Sequence, residues 1–202
     1  MGAALLGDDH IVGLHVRTFD RAETAKEGES LNKIRREARL TRRRLRRRAY
    51  RLKQLRELFQ REGLCETDEV SECIATKSPW DLRADGLDRV LAPNEWAAVL
   101  YHIVKHRGFQ STRKSEALED EKAGKMLSGV TRNHELLSDS GLRTVGELLA
   151  RHEEFSNAKR NKGGAYSHTL SRGDIESELK MLFQRQRELG NAVAGEAFQD
   201  AV

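Results

Sequence analysis

KIRREARLTRRRLRRRAYRLKQLR, residues 33–56, decides the reading of this chain. It holds eleven Arg and two Lys against one acid, Glu37, a net of +12 in 24 residues; the other 178 residues carry 23 bases and 31 acids, so this segment supplies all of the overall charge of +4. Wound as a helix at 100° per residue, Ile34, Ala38, Leu45, Ala49 and Leu52 fall within about 60° of one another, and Arg takes nearly every other direction. The apolar seam is narrow. Arg pairs at i,i+4 recur at 35/39, 39/43, 42/46, 43/47, 44/48 and 47/51, each unfavourable by about 0.2–0.5 kcal/mol, so self-repulsion totals about 1–3 kcal/mol. A helix that buries so little and repels itself becomes ordered on a polyanion.

Other accounts of the charge fit less well. Solvated faces mix signs, and this one holds a single acid. A nuclear-import tract needs only about 5–8 residues. Arg in preference to Lys favours bidentate phosphate contacts of defined geometry over a diffuse cation cloud. Tyr50 is the only aromatic inside the run, so base stacking is not its main business. The segment reads as a grip on nucleic-acid backbone.

Outward from it, 202 residues with 38% apolar content suffice for one domain or one and a half with a real core. The longest apolar run, Trp96 to Tyr101, is far short of the roughly 20 residues of a membrane span. The opening Met1-Gly2-Ala3-Ala4-Leu5-Leu6 has no cationic region and is followed by Asp8 and Asp9, unlike a secretory signal, so a cytoplasmic location is expected. Cys65 and Cys73 fit neither a zinc ribbon nor a disulfide scaffold and read as reduced thiols. The fold class is all-α, with one possible short strand over Ile11–Phe19. Ser78-Pro79-Trp80-Asp81 opens a helix to about Val90; Pro93 starts the next, to about Arg107, with Gly108 at a left-handed cap. Thr144-x-x-Glu147 caps a helix through about Phe155, and Ser171-x-x-Asp174 caps one ended by Gly190. Residues 116–128 read as a weaker charged helix and Asn157–Ala165 as a mobile loop. The expected division is an N-terminal connector (1–30), the arginine-rich helix (31–62) and a helical lobe (63–202).

At this point the residues resemble a known family. Gly28-Glu29-Ser30-Leu31, Arg35-Arg36, Ala38-Arg39, Arg42-Arg43 and Arg46-Arg47-Arg48-Ala49-Tyr50-Arg51-Leu52 are similar to the arginine-rich bridge helix of the CRISPR type II effector, the RNA-guided DNA endonuclease. Ser78-Pro79-Trp80-Asp81-Leu82-Arg83, Leu87-Asp88-Arg89, Glu95-Trp96, Lys105-His106-Arg107-Gly108-Phe109, Arg113-Lys114, Tyr166-Ser167-His168-Thr169 and Ser171-Arg172 resemble the recognition lobe of its compact II-C subtype. The resemblance spans roughly residues 13–202 in unbroken order.

What it implies is a module that binds guide RNA and the guide–target heteroduplex through backbone and A-form shape. Arg35, Arg36, Arg39, Arg42, Arg43, Arg46, Arg47, Arg48 and Arg51 would take phosphates of the guide's seed region. Lys105, His106, Arg107 and Gly108, with Tyr166 and His168, would line the surface holding the repeat:anti-repeat part of the guide, and Arg113 and Arg172 would bind RNA as well. Target DNA in the heteroduplex and the remaining nuclease portion are the other partners implied, and no membrane. The family uses Mg2+ in nuclease domains; the Gly-x-Asp-x-Gly strand that contributes a ligand there is not matched by Asp8-Asp9, so the expectation is a binding module with neither catalytic residues nor a cofactor of its own.

Other chemistry is weakly signalled. His102 and His106 stand at i,i+4 without an accompanying Glu and beside Lys105, a poor zinc site; the reading is a partly buried His102 and an RNA-facing His106. Trp80 and Trp96 read as core anchors. The competing readings are a free-standing basic-helix nucleic-acid binder and a decayed gene product without activity. Leu52, Leu55, Leu58 and Phe59 begin a zipper-like seam for the former, but Gly63 ends it within about two turns.

Overall fold

The computed structural model describes residues 2–16, 23, 28, 30–65, 67–110, 121–163 and 165–202. The chain divides into two compact units, residues 1–49 and 50–202, and the division falls inside the arginine-rich helix. Each unit is described by itself.

The first unit holds a hairpin. Strand β1 (Gly2–Leu6) pairs antiparallel with β2 (Ile11–Val16), Gly2 opposite Val16 and Leu5 opposite Gly13, with an irregularity at Leu5/Leu6. The expected lone strand over Ile11–Phe19 therefore has a partner and ends at Val16, residues 17–19 lying outside the described residues. Ala3-Ala4-Leu5-Leu6 carries no β-propensity to announce β1; the signal was the turn chemistry of Gly7-Asp8-Asp9, where Gly7 N–H donates to the His10 carbonyl at 2.8 Å.

Helix α1 (Leu31–Arg61) runs 31 residues, about 46 Å at 1.5 Å per residue. Its two ends live in different solvents. Residues 32–47 are all exposed, Ile34 at 42% and Leu45 at 59%, so the narrow seam buries nothing there. From Leu52 on, the same helix packs into the second unit through Leu52, Leu55, Leu58 and Phe59. These leucines belong to a core, which removes them from any zipper seam. The helix ends in a Schellman arrangement, Leu64 N–H to the Phe59 carbonyl at 2.8 Å and Gly63 N–H to Gln60 at 3.1 Å, with Gly63 at φ +63.

The second unit is a helical lobe: α2 (Thr67–Thr76), α3 (Pro79–Asp85), α4 (Pro93–Lys105), α5 (Glu121–Ser140), α6 (Val145–Arg151), a 3-10 turn (Glu153–Phe155), α7 (Arg172–Glu188) and α8 (Glu196–Ala201). The capping residues act as read: Ser78, Thr144 and Ser171 oxygens accept from Asp81, Glu147 and Asp174 N–H at 3.4, 3.2 and 2.9 Å. Three bounds differ from expectation. The helix expected to Val90 stops at Asp85, where Gly86 begins a run of turns; the one expected to Phe155 breaks at His152, whose extended backbone starts the 3-10 turn; and α5 continues to Ser140, residues 116–120 lying outside the described residues. Helices α2 and α8 are short and weakly patterned and escape a sequence reading. The side chain of Cys73 lies outside the described residues. Among the described residues no helix is long and apolar enough to cross a membrane.

Trp96 sits in the core, fully buried, edge-on to Phe183 at 5.0 Å. Around it α4, α7, the α1 end and α8 contribute Leu100, Ile103, Leu182, Phe59 and Phe198. Two buried polar knots fix the layers. Gln186 is fully buried and fully used: it accepts from Leu91 N–H and Asn191 and donates to the Gly86 and Arg89 carbonyls. Arg83, 1% exposed, forks onto Glu178, which also accepts from Gly146 N–H at 3.1 Å. A Cβ at Gly146 would lie 2.2 Å from Glu178 Oε1 and 2.9 Å from Arg83 Cβ, so only glycine lets α6 approach this pair.

Candidate nucleic-acid interface

Along α1, Arg35, Arg36, Arg39, Arg42, Arg43, Arg46 and Arg47 are exposed and Arg48 half-buried. Among the described residues none of the eight is paired with a carboxylate. Arg42 Nε reaches only the Ala38 carbonyl, at 3.3 Å. The lobe treats its arginines differently: Arg83, Arg89, Arg132, Arg143, Arg151 and Arg185 each hold at least one Asp or Glu.

One place in the lobe departs from that habit. A cleft of about 460 Å³ is lined by Arg51, Lys105, Arg107, Lys159, Arg160 and Arg172, with His106, His168, Trp80 and Phe109 among its other walls and, among the described residues, no Asp or Glu. Six cations around one concavity raise a positive potential that draws an anion.

The cleft is assembled by backbone. Phe109 N–H donates to the Leu170 carbonyl at 2.8 Å and Arg172 N–H returns to Phe109 at 2.9 Å, tying the Lys105–Phe109 segment beside 168–172. Gly108 permits it twice over: its φ is +75, and a Cβ would lie 2.6 Å from the Ser171 carbonyl oxygen. Behind this, Asn133 Nδ2 on α5 donates to the Ser167 and Thr169 carbonyls at 2.8 and 2.9 Å. Gly129 brings α5 so near that a Cβ would meet the Tyr166 carbonyl oxygen at 2.2 Å.

The stretch read as a mobile loop forms the third wall, and it is tied down. Lys159 Nζ caps the end of α6, donating to the Leu149 carbonyl at 2.5 Å. Asn161 donates to Thr169 Oγ1 at 2.9 Å and accepts from His168 N–H at 2.8 Å. Arg160 Nη2 donates to His106 Nε2 at 3.0 Å and His102 Nε2 at 3.4 Å. Beyond it Gly163, at φ +59, has nothing within 4 Å of where a Cβ would stand.

His102 is 4% exposed and packs edge-on to Trp80 at 4.2 Å. Burial, then the cationic surroundings of Arg83, Arg160 and Lys105, push its pKa down to about 2. The imidazole is therefore neutral at physiological pH. Trp80 is half-buried, with the guanidiniums of Arg83 and Arg160 lying 5.2 and 5.7 Å from its ring centre. The two tryptophans thus differ: Trp96 is the expected core anchor, whereas Trp80 lines the cleft. Among the described residues no three His, Cys, Asp or Glu converge where a metal could sit.

Of the residues singled out from the sequence, the cleft gathers Arg51, Lys105, His106, Arg107, Gly108, His168 and Arg172. Tyr166 is half-buried and stands outside the lining, its carbonyl oxygen accepting from Thr169. Arg113 lies outside the described residues. Missed were Lys159, Arg160 and Asn161, obscured by the adjacent glycines that made the segment read as a loop, and Trp80.

No family model matches the chain. The CRISPR-associated endonuclease Cas9 of Campylobacter jejuni is 32% identical over 208 residues, covering 94% of this chain and 20% of that protein. The structure of Campylobacter jejuni Cas9 in complex with sgRNA and target DNA (AGAAACA PAM) matches 98% of this chain and 27% of that one, with a TM-score of 0.70 at 27% identity. A cryo-EM structure of a St1Cas9–sgRNA–tDNA59–ntPAM complex shares the fold over 98% of this chain and 23% of that one, TM-score 0.66 at 24% identity. The chain thus spans about a fifth of the curated relative's length. Over that span, in sequence and in backbone alike, it is homologous to Cas9.

Proposed function

We propose that this chain is the guide-RNA-gripping module of a CRISPR type II RNA-guided DNA endonuclease, acting in the cytoplasm. The single observation that carries it is the distribution of arginine partners: six arginines of the lobe hold carboxylates, whereas among the described residues those of α1 from Arg35 to Arg48, and Arg160 of the cleft, pair with none. Exposed guanidiniums along a helix suit the phosphates of the guide's seed region, and the concave, cation-lined cleft suits a second stretch of RNA backbone. Target DNA reaches this module within the guide–target heteroduplex, recognised by its A-form geometry. The module binds and does not cut. The β1–β2 hairpin is a second contact, with the nuclease portion of the parent protein: a two-stranded hairpin is marginal alone, and Leu5, Leu6, Ile11, Val12, Leu14 and Val16 are 56–74% exposed.

Replacing Arg42, Arg43, Arg46 and Arg47 together by Ala tests the reading. With about 6–8 phosphate contacts on single-stranded RNA, the log–log salt slope is expected near −4 to −6 for the wild type. The quadruple variant should bind at least ~100-fold more weakly at low salt, with a slope shallower by about 3, while the thermal midpoint of the RNA-free lobe stays put. A wild-type slope near zero sinks the reading, and a fall in lobe stability would give the segment a structural role instead.

A further inference from the structure

We infer that Arg160, which the sequence reading passed over, is a phosphate-binding residue of the cleft, and that the imidazoles of His102 and His106 position it. The inference rests on the RNA-binding reading above and adds to it a residue and a device. A guanidinium is usually steadied by a carboxylate, which cancels its charge as it orients it. Arg160 is steadied by two Nε2 atoms of imidazole rings and by the face of Trp80. An Nε2 that accepts a hydrogen bond belongs to a neutral ring, so the orientation comes without charge cancellation. Deep burial of His102 between Trp80 and the neighbouring cations keeps that ring unprotonated.

Only Nη2 of Arg160 is engaged by these rings. Among the described residues no carboxylate pairs with Arg160 and no partner takes Nε or Nη1; the residue is exposed, and it lines the cleft beside Lys105, Arg107 and Arg172. An oriented, exposed guanidinium with donors to spare matches the bidentate geometry of a phosphodiester. Holding it costs little entropy at the moment of binding, because the ordering has already been done. The neighbouring Asn161 and Lys159 fasten the segment on both sides through their own hydrogen bonds.

The full chain and a mixed-sequence RNA hairpin give the test. Arg160→Gln should weaken binding about 10-fold at low salt, the order expected for one charged hydrogen-bonding contact, and make the salt slope shallower by about 0.7–0.9. Equal affinity for R160Q overturns the inference, and a loss of affinity at an unchanged slope overturns the phosphate contact. His106→Lys tests the positioning: it adds a cation to the cleft, so charge counting predicts tighter binding, whereas loss of the acceptor and repulsion of Arg160 predict weaker binding; a tighter H106K overturns the imidazole device. The α1 quadruple variant separates the two levels. If it weakens binding and R160Q does not, only this inference fails; if neither does, the RNA-binding reading fails with it.

Discussion

Glu95 shows how one side chain sets a pH limit on the lobe. It is 4% exposed and accepts from Arg89, Lys77 and its own helix start at Ala92 N–H. The Arg89 guanidinium, helped by Lys77 and the Ala92 amide against the cost of burial, holds its pKa down at about 2. In the unfolded chain the carboxylate takes up a proton near 4.5, so its contribution to stability is complete above that pH and is lost as pH falls towards 2. Glu95→Gln should cost about 1–3 kcal/mol at neutral pH and flatten the acid limb of stability between pH 5 and 2, measured by urea midpoints across that range. The limb should not vanish, because Arg143 holds Glu147 and Asp88 low as well. An unchanged acid limb would remove Glu95 from the account. Its place after Pro93 and the Glu95-Trp96 motif marked the residue in the sequence, but not its pairing, since its partners come from the preceding loop and the residue after α2.

Helix α1 was legible in kind, because charge and apolar period are local properties of 24 residues. What it buries was less so: the seam computed from Ile34 to Leu52 is solvent-exposed at its start, and the packing stripe is Leu52, Leu55, Leu58 and Phe59. The difference is tertiary, since a helix buries whichever residues meet a neighbour. Two regimes of stability follow within one helix. Among the described residues the side chains of 32–47 are exposed and the arginines from Arg35 to Arg47 pair with no carboxylate, whereas Leu52, Leu55, Leu58 and Phe59 share the core of the lobe. Amide exchange should show it: free of RNA, 32–47 exchange with little protection and 52–59 near the global rate; on adding RNA, protection of 32–47 should rise by at least ~10-fold while 52–59 stay unchanged. Uniform protection along α1 in the free protein would refute the proposed ordering on a polyanion. At the cleft, the turns at Lys105–Gly108 and 166–172 were visible as motifs, but not that one glycine seats them side by side, because no spacing encodes an approach between residues about sixty apart.

Taken whole, the lobe closes on the Arg83–Glu178 pair, which draws α3, α6 and α7 to a single buried point. Separating two buried charges by deleting one is far costlier than the pair's own net worth. Glu178→Gln, which leaves Arg83 charged and enclosed, should lower global stability by about 3–5 kcal/mol, and Arg83→Met with Glu178→Met together should recover most of it; denaturant unfolding of the two variants decides. If E178Q is as stable as the wild type, the pair is not the lobe's fastening. The pairing itself joins residues 95 positions apart, out of reach of any local pattern. The open turn at Gly163 has a practical use. Lys162 beside it is exposed, one residue from the wall that Asn161 ties to 168–169, and Gly163 stands clear of neighbouring atoms. A cysteine introduced at Lys162 could therefore carry a fluorophore at the lip of the cleft without disturbing its packing, turning arrival and release of RNA into an optical signal that can be followed one molecule at a time.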